Sequence, residues 1–414
     1  MDPDAAPPDG GAGTDGAIPL HCGDHAVDPD EVCDGDARAC ADLGASFGGG
    51  TAPCRADCRG WDPAGCTLAN AGRFEAVKPA ERDPKWGIAR CNDGTPFSFV
   101  VRLASPATDR WVIYLEGGVY CDDDSFACAS RDPYLTSTLP FADRALGPVP
   151  FTGLFGTNPA ANPDFAQANQ VVAHYCSSDF WAGETTDRRP SSGGSWYFSG
   201  HAAVDAMIEV LAERYGLDDE RAGLRVLFGG GSAGAFGGHF NASRVIRALP
   251  ATASAGRLML LVDAGWMTDW DDPAHRLGSA TTRDRDVWSR ARTFWGATFD
   301  PACEAANAEP VDCFFGPGWY PHVSAALPTL VQQCSIDQSF TMVHNLQPTD
   351  PAAQTWHSQV AASLAPVRWL FSGTQSYHML GIDDSTMTYG PAGHTFAQTL
   401  HDFWAGAAAE RVVF

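Results

Sequence analysis

A serine framed by small residues is the first place in this chain where chemistry could reside. Ser232 lies in Gly230-Gly231-Ser232-Ala233-Gly234, between a β-type run beginning at Leu224 and a helix-type run ending at Phe240. Small residues on both sides permit a sharp strand-to-helix turn. Such a turn lifts the hydroxyl toward solvent at the head of a helix, where free backbone N–H groups can stabilise an oxyanion. A serine hydroxyl is a poor nucleophile near neutral pH, so this reading requires a histidine to take its proton and an acid to orient that histidine. Asp337 and His378 follow Ser232 in the order serine, acid, histidine, each just past an apolar strand-like run. Asp263 also follows a strand, but so soon after the serine that it is expected to brace the neighbouring strand and loop. His394 and His401 fall in or beside a helical stretch, and His174 and His239 fall on an apolar strand and on the helix after the serine; structural roles are expected for all four. The oxyanion needs two or three backbone donors, and Glu116-Gly117-Gly118-Val119 offers a glycine turn at a strand end. The amides of Gly118, Val119 and Ala233 are the expected donors.

These residues must be held by an α/β framework. From Asn70 onward short β-like runs alternate with longer helical ones, which predicts a mostly parallel sheet flanked by helices, an α/β-hydrolase-like architecture over residues 67 to 414. Strands are predicted at Trp111 to Leu115, Gln170 to Tyr175, the run before Ser232, Leu258 to Val262, Thr329 to Cys334 and Val367 to Phe371. Helices are predicted from Ala202 to Arg214, after Ser232, and from Thr395 to Trp404. Several strands end in polar, glycine-flanked loops, and the carboxyl ends of parallel strands are where open α/β sheets build their sites.

Composition narrows the partners. A formal net charge of −23 disfavours nucleic acid and anionic membrane, both of which would repel the chain. No apolar run reaches the roughly 20 residues of a membrane helix, and the N-terminus lacks the basic-then-apolar layout of a signal peptide. Thirteen cysteines indicate an oxidising compartment. A secreted or surface-tethered protein whose signal has been removed reconciles the two observations, and a monomer is expected.

Residues 1 to 21, mostly Pro, Gly, Asp and Ala, read as a flexible tether. Residues 22 to 66 hold Cys22, Cys33, Cys40, Cys54, Cys58 and Cys66 among few large apolar residues, so about three disulfides are expected to stand in for a core. The acids Asp24, Asp28, Asp30, Glu31 and Asp34 could ligate calcium, but a solvated acidic surface is the expected reading. Zinc is disfavoured by the absence of a short Cys-x-x-Cys pair with a ligand histidine. The segment resembles the cysteine-rich repeats common in exported proteins of myxobacteria, which implies a small surface or adhesion-type module.

A second resemblance covers roughly residues 90 to 380. Residues 90 to 94 (Arg-Cys-Asn-Asp-Gly), 111 to 121 (Trp-Val-Ile-Tyr-Leu-Glu-Gly-Gly-Val-Tyr-Cys), 175 to 183 (Tyr-Cys-Ser-Ser-Asp-Phe-Trp-Ala-Gly), the Gly-Ser-Ala-Gly turn and Asp263-Ala-Gly-Trp266 occur in this order. The set resembles the pectin acetylesterase and Notum carboxylesterase family. The resemblance implies a secreted serine esterase without metal or organic cofactor, with Ser232, Asp337 and His378 as triad and Gly118, Val119 and Ala233 as oxyanion hole. The implied substrate is an acylated polysaccharide or other small ester, most simply an acetyl ester, with a deacylase of longer chains as the alternative. An inert, surface-tethered binding protein is the reading outside enzymology. Tyr120, Trp266 and Met267 are expected along the substrate pocket, and the aromatics Trp270, Trp288, Phe294, Trp295, Phe314, Phe315 and Trp319 could extend it. Relatives carry tryptophan where this chain has Val119 and an aromatic where it has Met267, so acyl specificity does not transfer with the fold. Cys121 with Cys128 and Cys303 with Cys313 bracket short loops, and Cys91 with Cys176 resembles a family pairing. Cys334 remains as an expected buried thiol.

Overall fold

The computed structural model describes residues 22–69, 72–139, 152–159, 162–188 and 193–414, and the predicted tether lies outside them. Nine strands form one sheet: β1 (Glu75–Val77), β2 (Phe99–Arg102), β3 (Arg110–Leu115), β4 (Asn169–Ala173), β5 (Arg225–Gly231), β6 (Leu258–Asp263), β7 (Thr329–Gln332), β8 (Trp369–Ser372) and β9 (Arg411–Val413). Their spatial order is β9-β8-β7-β6-β5-β3-β4-β2-β1. Strands β3 to β9 run parallel, while β2 runs antiparallel to both β4 and β1. Helices cover both faces, so the central strands are apolar along their whole length: every residue of β6 is buried, including its terminal Asp263.

The predicted strands and helices fall on β3 to β8, on α1 (Gly200–Arg214), on α2 (Ala233–Phe240) and on α3 (Phe396–Ala405), with ends shifted by at most two residues. Strands β1 and β9 at the two sheet edges, and β2 beside β1, are absent from the sequence reading. Runs of three or four residues carry too few alternations to register as strands, and pairing with an existing sheet edge is what orders them. After β3 the chain moves to one side for β4, then crosses back to place β5 on the other side of β3. Beyond the carboxyl ends of these strands lies the crevice in which the candidate catalytic residues meet.

The cysteine-rich segment is closed by Cys22–Cys58, Cys33–Cys54 and Cys40–Cys66 around a short hairpin, Ala37–Ala39 with Thr51–Pro53. Its few large apolar residues are not left to the disulfides alone. Leu43, Phe47 and Trp61 are buried in the same apolar cluster as the large domain. Trp61 lies between the guanidinium groups of Arg38 and Arg214. The segment also completes the C-terminus of α1, whose last carbonyls have no helical partner: Arg55 Nη1 donates to Ala212 O (3.2 Å) and Trp61 N to Glu213 O (3.0 Å). From the other side Glu75 accepts the amides of Ala45 and Ser46, both at 2.7 Å.

Of the five acids named there, Glu31 and Asp34 are buried rather than solvated, each with one oxygen on backbone amides. Among the described residues, the groupings within ligand distance pair one carboxylate with the two sulfurs of a disulfide, which offers no thiolate to a metal. Because Trp61 bridges the segment and α1, Trp61→Ala is expected to destabilise the whole chain by about 3 kcal/mol. Chemical denaturation should show one cooperative transition at lower denaturant, rather than a separate early transition for residues 22 to 66.

Candidate active site

The turn at Ser232 is enforced by crowding. In the register of the sheet, Gly230 lies opposite Leu115 and Gly231 opposite Asp263. A Cβ on Gly230 would lie 2.3 Å from the Leu115 carbonyl oxygen, and one on Gly234 only 1.8 Å from the same atom. No side chain fits at either place, so the strand end and the head of α2 are pressed onto β3. Ser232 adopts φ 54° and ψ −122°, a backbone state that L-residues populate only under constraint. The constraint is visible: Ser232 N donates to Asp263 O (2.9 Å), and Ser232 O accepts from Ala235 N (2.9 Å) as α2 begins. The hydroxyl is thereby left half-exposed at the head of the helix.

Asp337 and His378 come together from the loops after β7 and β8. His378 Nδ1 and Asp337 Oδ2 are 2.8 Å apart, and Nδ1 is the donor because the facing carboxylate can only accept. Asp337 also caps the short helix Gln338–Val343, its Oδ1 accepting from Ser339 N and Phe340 N, while Gln333 Nε2 donates to Oδ2 at 3.0 Å. Burial works against charge on His378, but the charge and hydrogen bond of Asp337 outweigh it. Asp263 adds to them, and the net effect raises the imidazole pKa above its ordinary 6.5. The second nitrogen, Nε2, has no hydrogen-bond partner among the described residues and borders the same cavity as Ser232.

Asp263 serves both halves of the site. Its main-chain oxygen holds Ser232, and its carboxylate accepts Leu380 N (3.0 Å) and Gly381 N (2.9 Å), fixing the chain just after His378. Its carboxyl is pushed up to about 6 by burial, against the pull of those two amides and of His378. The other histidines lie elsewhere. His394 pairs with Glu410 and His401 with Asp164 on the surface, while His174 bridges Glu116 and Ser137 O. His239 is stacked on Trp319, with both ring nitrogens unpartnered among the described residues.

The glycine turn after β3 abuts the elbow: a Cβ on Gly117 would meet Ser232 Cβ at 2.7 Å and Ala233 N at 3.3 Å. Gly118 and Val119 have φ 149° and 56°. The amides of Gly118, Val119 and Ala233 have no acceptor among the described residues. The loop is tethered through Glu116, whose carboxylate accepts from Tyr134 Oη (3.1 Å) and whose carbonyl accepts from Trp181 Nε1 (3.0 Å).

Ser232, His378 and Asp337 open onto one cavity of about 610 Å³ including its mouth. Tyr120, Trp266 and Met267, expected from sequence along the pocket, line this cavity together with Val119 and Trp288. The other aromatics named from sequence, such as Trp295 and Trp319, are core residues behind the lining. The sequence reading missed Phe180, Phe236, Phe340 and Trp356, which complete an almost wholly apolar wall. Phe236 was detectable, since it stands one helical turn after Ser232, and so was Phe340, three residues after Asp337 on the helix it caps; Trp356 arrives by tertiary folding and had no local signal.

Disulfides Cys91–Cys176, Cys121–Cys128 and Cys303–Cys313 pin the surrounding loops. Cys334 is the free cysteine, buried, with its thiol pushed up to about 12 by burial and by the nearby Asp337 charge.

Comparison with known proteins places this site in a family context. The model of the pectinacetylesterase family matches residues 81–365. The palmitoleoyl-protein carboxylesterase notum1a of Danio rerio is 29% identical over 276 residues, 64% of this chain and 51% of that protein. The Homo sapiens palmitoleoyl-protein carboxylesterase NOTUM is 29% identical over 273 residues, 64% of this chain and 52% of that protein. The chain thus spans about half the length of these curated relatives. Among solved structures, that of the Wnt deacylase Notum from Drosophila superposes with a TM-score of 0.69 at 22% identity, covering 82% of this chain and 96% of that one, which establishes the shared fold. The family match spans most of the large domain, and the chain belongs to the pectinacetylesterase family.

Proposed function

We propose that the protein is an extracellular serine carboxylesterase that removes acyl groups longer than acetyl. The reading is carried by one observation: Ser232 and the Asp337–His378 pair open together onto an apolar, aromatic-lined cavity. Ser232 Oγ attacks the ester carbonyl carbon as His378 Nε2 takes its proton. The oxyanion faces the amides of Gly118, Val119 and Ala233. Collapse of this intermediate returns the proton to the leaving alkoxide and leaves an acyl-serine. Water, deprotonated by the same imidazole, then releases the carboxylic acid. Six disulfides beside one free cysteine support an extracellular setting.

Acyl length follows from the lining. An acetyl group would leave most of the aromatic wall uncovered, whereas each further methylene buried there contributes about 0.8 kcal/mol. Relatives named for removing a palmitoleoyl group from proteins favour the same direction. Acetylated polysaccharide remains the second reading, favoured by the family's description. The net charge of −23 makes polyanionic pectin the least suitable of such polymers and favours neutral or cationic carriers.

With p-nitrophenyl esters, kcat/KM is expected to rise about fourfold per methylene from the acetate to about the octanoate. A profile that peaks at acetate would return the assignment to short acyl groups. Ser232→Ala should lower kcat by roughly a thousandfold or more and abolish labelling by a fluorophosphonate probe; unchanged turnover would remove Ser232 as the nucleophile, and a parent chain with neither labelling nor turnover would leave the inert binding protein as the better reading. His378 must be neutral to act as base and its pKa is raised, so activity should fall on acidification with a midpoint above 6.5. Asp337→Asn removes the charge that raises it, and should lower that midpoint together with a loss in kcat of about a thousandfold. An unmoved acid limb in this variant would detach Asp337 from the triad.

A further inference from the structure

We propose that Asp179 is a positioning residue that holds the oxyanion-hole loop and one wall of the acyl cavity through a single strained turn, Ser178 to Trp181; the proposal rests on the esterase reading above. Three of these four residues have positive φ: Ser178 at 51°, Phe180 at 53° and Trp181 at 63°. None is glycine, so the turn persists only if its surroundings over-determine it. The fourth residue supplies the determination. Asp179 is fully buried, and its carboxylate accepts four hydrogen bonds: Ser177 Oγ (2.6 Å) and Trp181 N (3.0 Å) on Oδ1, Gly183 N (3.1 Å) and Gly200 N (2.9 Å) on Oδ2. The carboxylate is encased, since a Cβ on Gly183 would come 2.4 Å from Oδ2 and one on Gly200 2.7 Å from Oδ1.

Both ends of the donor loop hang on this turn. Trp181 Nε1 donates to Glu116 O, just before the two glycines, and Ser178 O accepts from Cys121 N (3.2 Å), just after Val119 and Tyr120. The Trp181 ring fills the space above Gly237 of α2, where a Cβ would lie 2.5 Å from it, so the turn also touches the nucleophile helix. The Phe180 ring forms a wall of the cavity against Tyr120 (5.1 Å between centroids) and Phe236 (4.8 Å). One buried carboxylate therefore sets the position of the oxyanion donors relative to Ser232 and the shape of the acyl pocket at once. Four donors on one carboxyl call for its ionised form. Burial lifts the Asp179 pKa to about 6 against the pull of those donors, so a test at pH 8 keeps it charged.

The test uses the full chain at pH 8, with p-nitrophenyl octanoate as substrate and octyl trifluoromethyl ketone as an inhibitor whose hydrate-like adduct places an oxyanion in the hole. Active sites are counted by fluorophosphonate labelling. Trp181→Phe removes the N–H to Glu116 O and trims the ring that packs over Gly237, while keeping an aromatic side chain in the turn. It is expected to lower kcat about tenfold and weaken the ketone about tenfold, with KM within twofold and the acid limb of His378 unmoved. Asp179→Asn keeps the shape but turns a donor toward amides, and should lower kcat further and flatten the chain-length preference through Phe180. A fully labelled Trp181→Phe protein with kcat within twofold of the parent, or with its loss confined to KM, overturns the proposal. If Asp179→Asn does not fold, the Trp181→Phe result decides alone. A parent chain that neither labels nor hydrolyses esters overturns the esterase reading first, and this proposal with it.

Discussion

The carbonyl oxygen of Leu115 occupies the point on which the site turns. It stands where a Cβ of either residue 230 or residue 234 would be, so β3, the end of β5 and the head of α2 can be this close only with glycine at both positions. That contact fixes the elbow against the strand whose next residues form the donor loop. Ser232 and the proposed oxyanion donors thus share one backbone junction instead of being matched across flexible segments. The strain in Ser232 is balanced by the same junction, through the hydrogen bond that its N–H donates to Asp263 O on the neighbouring strand.

Asp263 extends this economy to His378. Through its main chain it holds Ser232 and through its side chain the amides after His378, so serine and histidine are indexed to one residue at the end of β6. Asp337, by contrast, is fixed from its own side by Gln333 and by the head of a short helix. The two acids near His378 therefore divide the work: one orients the imidazole directly, the other sets the loop that carries it.

How much of this is readable in sequence depends on whether a constraint is local. Ser232, the glycine turn at Gly117-Gly118 and the residues Asp337 and His378 announce themselves because each follows an apolar strand run and stands in a loop that strand geometry places at one edge. Asp263 was legible as a brace for the nearby loop, but its grip on residues 380 and 381 is a contact across more than a hundred residues, invisible to any local pattern. Asp179 had no signal beyond its neighbours, since its partners Gly183 and Gly200 look like ordinary turn glycines. The cavity wall divides the same way, with Val119, Trp266, Met267 and Phe340 adjacent to motifs, and Trp356 delivered by a helix that only the assembled sheet brings near. The short strands β1, β2 and β9 escaped because an existing sheet edge, rather than their own composition, orders them.

The docking of residues 22 to 66 onto the end of α1 bears on how freely that segment can travel between proteins. Leu43, Phe47 and Trp61 find their cover on a surface built from residues more than a hundred positions downstream, and the backbone of Gly60 lies so close to Glu213 that a Cβ there would be 2.9 Å away. Cut out and fused to another protein, the segment would carry its disulfides but present a bare apolar face in place of a finished surface. In this chain it is fitted to one particular helix end, and a transplant would have to bring that helix with it.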